Sequence, residues 1–266
     1  MEGVFVMRAA RMGLIYSIML VCFMVSDYQK VRETTAVMKL QCDYNRVLDQ
    51  AVEDAVTGLV EKDDGRFVWL NKEEAVKRFF ISLALNMNKM ESYGDRELLY
   101  HYVPVVMIIE RERCYLGWEL KDPKWEEYSF SKAYGNIQVN YTLGDYVIIK
   151  GLREAGTVEG DYHDIVRNYE ISLWENEEAF HEERKKVIVG ILTECFNEKL
   201  ALHNKVAKKY GINYEFTLPV IDLEEWYRTI DDVGFVALFQ GYPYGNAYTG
   251  YYNRVALGGA RLHKKE

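Results

Sequence analysis

Between Arg11 and Asp27 the chain carries no charge. Residues 12–25 are almost wholly apolar, with Arg8 and Arg11 before them and Asp27 closing the run. A basic flank followed by an apolar core is the grammar of a signal peptide or signal anchor, and it assigns the residues beyond Asp27 to the far side of a membrane. As a helix the run rises only about 21 Å, short of a hydrocarbon core about 30 Å thick. Extending it back over residues 4–11 gives about 33 Å, provided Arg8 and Arg11 snorkel to the cytoplasmic interface. Cleavage is not expected. Met24 and Ser26 fit the small-residue positions of a signal-peptidase site poorly, and Val21 before Cys22 is too bulky for lipoprotein processing. Residues 1–26 are therefore read as a retained signal anchor, a single transmembrane helix in the bacterial cytoplasmic membrane. The positive-inside rule weighs Arg8 and Arg11 against the nearly cancelling Asp27, Lys30, Arg32 and Glu33. It puts the N-terminus inside and the C-terminal domain outside.

The apolar periodicity does not stop at the membrane. Leu40, Tyr44, Val47, Leu48, Ala51, Ala55 and Leu59 recur at spacings of three and four without an intervening proline, so residues 27–62 read as a membrane-proximal amphipathic helix. Such a helix would continue the anchor, lift the globular part off the bilayer and pack its outer half against that part. Asp63, Asp64 and Gly65 make a turn; they lack the alternating carboxylates of a calcium loop.

Residues 63–266 are read as an extracytoplasmic α+β domain. Asn71 with Glu74 three residues on signals a helix start, and Phe79, Phe80, Leu83, Leu85, Met87 and Met90 supply that helix's apolar side. Two strands come next, joined at residues 110–113, then a candidate strand at 128–131. A hairpin over residues 137–150 turns at 143–145. A long helix over residues 175–210, with Phe196 mid-face and Gly211 as its stop, is expected to brace this antiparallel sheet. A strand at 213–219, a short helix near Asp222, an apolar piece at 233–240 and a closing strand at 254–262 complete the expectation. Helices and antiparallel strands segregate rather than alternate, the mark of an α+β fold.

A formal charge of −8 with scattered lysines and arginines argues against nucleic acid as a partner. Arg261, His263, Lys264 and Lys265 read as a solvated end. Cys42, Cys114 and Cys195 are too far apart for metal spacing and odd in number, so no disulfide framework is read; one bridge stays open, with buried free thiols the favoured expectation. Neither cofactor nor metal is expected. His181, Glu182 and Glu183 begin a zinc-helix pattern, but Lys185 stands at the second ligand position. Asp161, His163 and Asp164 read as a turn, and Asp231 with Asp232 as a cap. No nucleophile elbow, phosphate-binding loop or Cys-x-x-Cys pair occurs, so no catalytic residue is assigned. The binding candidates lie in a tyrosine-rich loop whose glycines oppose regular structure: Tyr242, Tyr244, Asn246, Tyr248, Tyr251 and Tyr252. Rings with polar tips suit glycan or protein surfaces; the alternative is that they roof the core.

Arg11, Met12 and Gly13, the apolar residues 14–25 and the long helix to Glu61 together resemble the start of a pilin or pseudopilin. There a basic leader and glycine precede a hydrophobic helix that runs into a globular head. The fifth residue after the glycine, glutamate in that family, is Ile18 here. Residues 141–146, 216–219, 239–241 and 258–261 are similar to membrane-anchored proteins of Gram-positive bacteria associated with Tad-type pilus machinery. The resemblance implies a non-catalytic component or accessory of a pilus or secretion assembly, with the lipid bilayer and other envelope or pilus proteins as partners. Two other classes stay open: an extracytoplasmic ligand-binding sensor domain of the Cache or PAS type, and an envelope enzyme acting on glycan or peptide.

Overall fold

The computed structural model describes residues 2–63, 68–152, 156–169, 171–209, 215–218, 224, 226–227, 232–244 and 250–260, with side chains from residue 11 onward save at 62, 63, 68, 207 and 260. It is α+β. A single helix, α1 (Glu2–Leu59), is followed by the hairpin β1 (Val60–Asp63) and β2 (Val68–Leu70). Then come α2 (Lys72–Asn86), α3 (Tyr93–Tyr102), β3 (Val106–Ile109), β4 (Arg113–Trp118), β5 (Lys124–Ser129) and β6 (Ser131–Tyr134). The chain continues through β7 (Ile137–Tyr141), β8 (Tyr146–Leu152), β9 (Gly156–Asp161), α4 (Tyr162–Tyr169), α5 (Glu177–Lys209), β10 (Val233–Pro243) and β11 (Tyr251–Ala260). Two compact units divide these elements. One comprises residues 1–44 with 243–250, the other residues 45–242 with 251–266.

In the larger unit, besides the two-stranded β1–β2 sheet, the strands form two antiparallel sheets where sequence reasoning anticipated one. Five strands run in the order β11-β10-β3-β4-β5, and four in the order β6-β7-β8-β9. The fully buried Phe130 sits at the switch between them, its carbonyl accepting a hydrogen bond from Tyr141 N at 2.8 Å. Every residue of β3, and β10 from Val233 to Gly241, is buried, so both faces of the central strands are covered. On one face Met107, Ile109, Val236 and Leu238 join the α5 residues Ile188, Leu192, Phe196 and Leu200 in a continuous core. On the other, Phe79 of α2 packs against Phe235 with ring centroids 5.5 Å apart. The α1 residues Leu48, Ala51, Val52, Ala55 and Leu59 are buried on this unit as well, each at most 1% exposed. Gly258 of β11 permits α1 to come this close: a Cβ there would lie 2.6 Å from Val52 Cγ1.

Local chemistry accounts for the element ends. Asn71 caps α2 by accepting from Glu74 N at 3.0 Å, but Glu74 bonds Arg78 at 2.9 Å, so only half of a capping box forms. The predicted long helix is α5, and the predicted 137–150 hairpin is β7 with β8. Three expectations change. Helix α1 ends at Leu59 in a β-hairpin strand, although Asp64 and Gly65 of the expected turn lie outside the described residues. The described residues 215–218 are not a strand: the Asn204 amide brackets Phe216, accepting from its N–H at 2.8 Å and donating to its carbonyl at 2.7 Å. And Gly156–Asp161 forms a strand, followed by the helix Tyr162–Tyr169, where the only reading was a turn at Asp161, His163 and Asp164.

Candidate functional site

The described ends of the tyrosine-rich segment belong to strands. Tyr242 ends β10, and Tyr251 and Tyr252 begin β11. In the larger unit Tyr242 packs edge-on against Tyr102 at 5.0 Å and lies against Phe239 at 5.4 Å; burial, and then Tyr102, raise its pKa. Tyr252 is 1% exposed and donates to Asn45 Oδ1 at 2.7 Å. Its neighbour Tyr251 points the other way, as strand alternation requires, and is 58% exposed. In the smaller unit the Tyr244 ring stacks parallel to Tyr44, and Tyr44 donates to the Pro243 carbonyl at 3.4 Å. Asn246 and Tyr248 lie outside the described residues. Tyr242 and Tyr252 thus serve packing, Tyr244 meets a partner on α1, and Tyr251 turns its ring towards solvent.

Acidic and histidine side chains meet at one corner of the four-stranded sheet. His163 Nε2 and His181 Nε2 lie 3.6 and 3.5 Å from Glu177 Oε1, and His181 Nδ1 is 3.7 Å from Asp145. Arg184 donates to the Leu143 carbonyl at 2.8 Å, and Asp161 accepts from His163 N at 2.9 Å, the turn expected of it. Among the described residues no group of three His, Cys, Asp or Glu side chains is placed to hold a metal ion. Asp231 lies outside the described residues, whereas Asp232 Oδ1 accepts from Val233 N at 2.7 Å.

Sequence reasoning missed a polar chain beside the core. Trp174 Nε1 donates to Tyr141 Oη at 3.3 Å, Tyr141 and Tyr134 share a 2.7 Å hydrogen bond, and Tyr134 donates to Glu183, which also pairs with Lys132. The Lys132 hydrogen bond holds the Glu183 carboxyl below its ordinary pKa. A cleft of about 350 Å³ between α2, α3 and the β4–β5 turn was also missed. Val76, Phe80, Ala84 and Leu120 form its apolar wall, and Lys77, Arg96 and Lys121 stand at its rim.

The most extensive feature is the apolar surface of α1 in the smaller unit. Over residues 12–25 the large apolar side chains are all exposed, from 48% at Ile15 to 71% at Tyr16. Among the described residues this is the one helix long and apolar enough to cross a membrane. Beyond Asp27 the exposed apolar residues thin to Tyr28, Val31 and Met38, which share one face. No family model, curated protein or solved structure matches the chain.

Proposed function

We propose that the chain is a membrane-anchored extracytoplasmic protein that works without catalysis as a component or accessory of a pilus or secretion assembly. The observation that carries this reading is the change of surface along α1. Residues 12–25 expose apolar side chains on every side, which suits lipid; Tyr28, Val31 and Met38 form a stripe, which suits another helix. From Val47 onward one face of α1 is buried on the larger unit's core. An apolar leader helix whose later part packs on an antiparallel sheet is the arrangement the pseudopilin resemblance implies. Crosslinking in intact cells, followed by identification of partners, tests the proposal. Recovery of pilus or secretion-system proteins, lost when Tyr28, Val31 and Met38 are replaced by serine, is the expected result; capture of none of them overturns it.

The cleft beside Phe80 favours a second reading, a ligand-binding sensor domain, because its volume lies within the range of small-molecule sites. A saturable rise in melting temperature with a defined small molecule, abolished by Ala84→Trp, would establish that reading in place of the first.

A further inference from the structure

We propose that Cys114 and Cys195 are a covalent modification site, a dithiol pair that closes to an intramolecular disulfide between β4 and α5 when it meets a disulfide oxidant. Three observations place the two thiols together. Cys114 and Leu116 are the inward residues of β4, and their cross-strand partners on β5 are Tyr128 and Glu126. Those same partners reach α5: Tyr128 donates to Glu198 at 3.4 Å, and Glu126 pairs with Lys199. Cys195 precedes Glu198 and Lys199 by three and four residues, one helical turn on the same face, which sets it over Cys114.

Both thiols sit in the continuous core, Cys114 fully buried and Cys195 only 4% exposed. The neighbouring thiol, and then burial, push the Cys114 pKa up, so the thiolate needed for exchange is scarce in the closed core. Closure therefore belongs to folding or to local opening. The chemistry balances with an oxidant of the disulfide class, either an exported thiol–disulfide oxidoreductase or oxidised glutathione. One thiolate attacks a sulfur of the oxidant and expels its first thiolate, giving a mixed disulfide. The second thiolate displaces the oxidant's remaining sulfur, so two protons leave the protein and two electrons reduce the oxidant to two thiols. Occurrence of the bond in cells rests on the extracytoplasmic reading above, because that side of the membrane is where such oxidants keep disulfides formed.

The test uses the full chain in detergent, opened in mild denaturant with oxidised glutathione, quenched in acid, alkylated without reduction and mapped by mass spectrometry. The expected result is one crosslinked pair of peptides carrying Cys114 and Cys195, with Cys22 and Cys42 outside it. In Cys195→Ser, Cys114 should take no protein partner. In the oxidised wild type, reductant should lower Tm by about 10 °C, with no such shift in the Cys114→Ala/Cys195→Ala double variant. Alkylation of Cys114 and Cys195 as free thiols after oxidation, or their pairing with Cys22 or Cys42, overturns the proposal. The same mapping on intact cells separates the two readings. A closed pair supports both. An open pair in cells, from protein that glutathione closes in solution, keeps the dithiol assignment and overturns the extracytoplasmic placement.

Discussion

Substituting Gly258 by alanine adds one methyl group where α1 crosses β11, and its cost measures how closely the two elements meet. The added Cβ would lie 2.6 Å from Val52 Cγ1 and 3.3 Å from Val56 Cγ2, against an ordinary carbon–carbon contact of about 3.5 to 4.0 Å. Val52 is 1% exposed and β-branched, so on a helix it has essentially one χ1 rotamer and nowhere to swing. Overpacking of this kind costs about 1–3 kcal/mol, while loss of glycine's freedom in the unfolded chain returns about 0.4–1 kcal/mol. The net is about 1–2 kcal/mol of destabilisation, or roughly 2 to 8 °C in Tm. Val52→Ala alone removes two buried methyl groups and should cost about 1.5–3 kcal/mol. Together the two changes should cost less than their sum by about 1–2 kcal/mol, because the new methyl fills the space that Val52 vacates. Thermal denaturation of the full chain in detergent, followed by near-ultraviolet circular dichroism, reads all four corners of the cycle. Additive costs, or an unchanged Tm for Gly258→Ala, would refute the packing of α1 on β11.

Phe196, fully buried at the centre of α5, should cost about 3–5 kcal/mol on replacement by alanine, measured by denaturant unfolding. Burial, and then His101, lower the His203 pKa to about 4 from its ordinary 6.5. The unfolded state binds the extra proton between those values, so stability is fully present above pH 6.5 and falls by up to about 3 kcal/mol as pH drops towards 4. His203→Phe should flatten that part of the profile, and an unchanged slope would refute the assignment. Protease added to intact protoplasts should degrade the larger unit and spare a short fragment containing residues 12–25; protection of the whole chain would sink the proposed topology.

Local signals carried part of the fold. Asn71 caps a helix because its side chain reaches an amide three residues on, and residues 137–150 pair because alternating apolar residues flank a short turn. Both are settled within a few residues. β9 escaped because Gly156–Asp161 has only Val158 as a buried apolar residue; what makes it a strand is its antiparallel register with β8. Phe216 failed as a strand residue because the side chain of Asn204, twelve positions away, takes both of its backbone groups. The same distinction governs the candidate site. Tyrosines at 242, 251 and 252 look alike in sequence. Whether each ring packs or faces water depends on Tyr102 and Asn45, both remote in the chain, and on which face of β11 each residue takes.

The burial of α1 separates two ways of covering an apolar helix. Eleven large apolar side chains between residues 12 and 25 are exposed. Together they present on the order of 1,000 Å² of apolar surface, which at about 25 cal/mol per Å² amounts to about 25 kcal/mol of unfavourable hydration. That exceeds the whole stability of an ordinary domain, about 5–15 kcal/mol, so a chain presenting this surface to water would associate or aggregate before any other property mattered. A helix that pairs with one neighbour needs only a narrow seam, and Tyr28, Val31 and Met38 supply one. Residues 12–25 are apolar around the whole circumference, which a single seam cannot cover and a bilayer covers without specific partners. The two patterns meet at Asp27, the first charge after the run, which is where the proposed anchor would leave hydrocarbon and the narrower seam would begin.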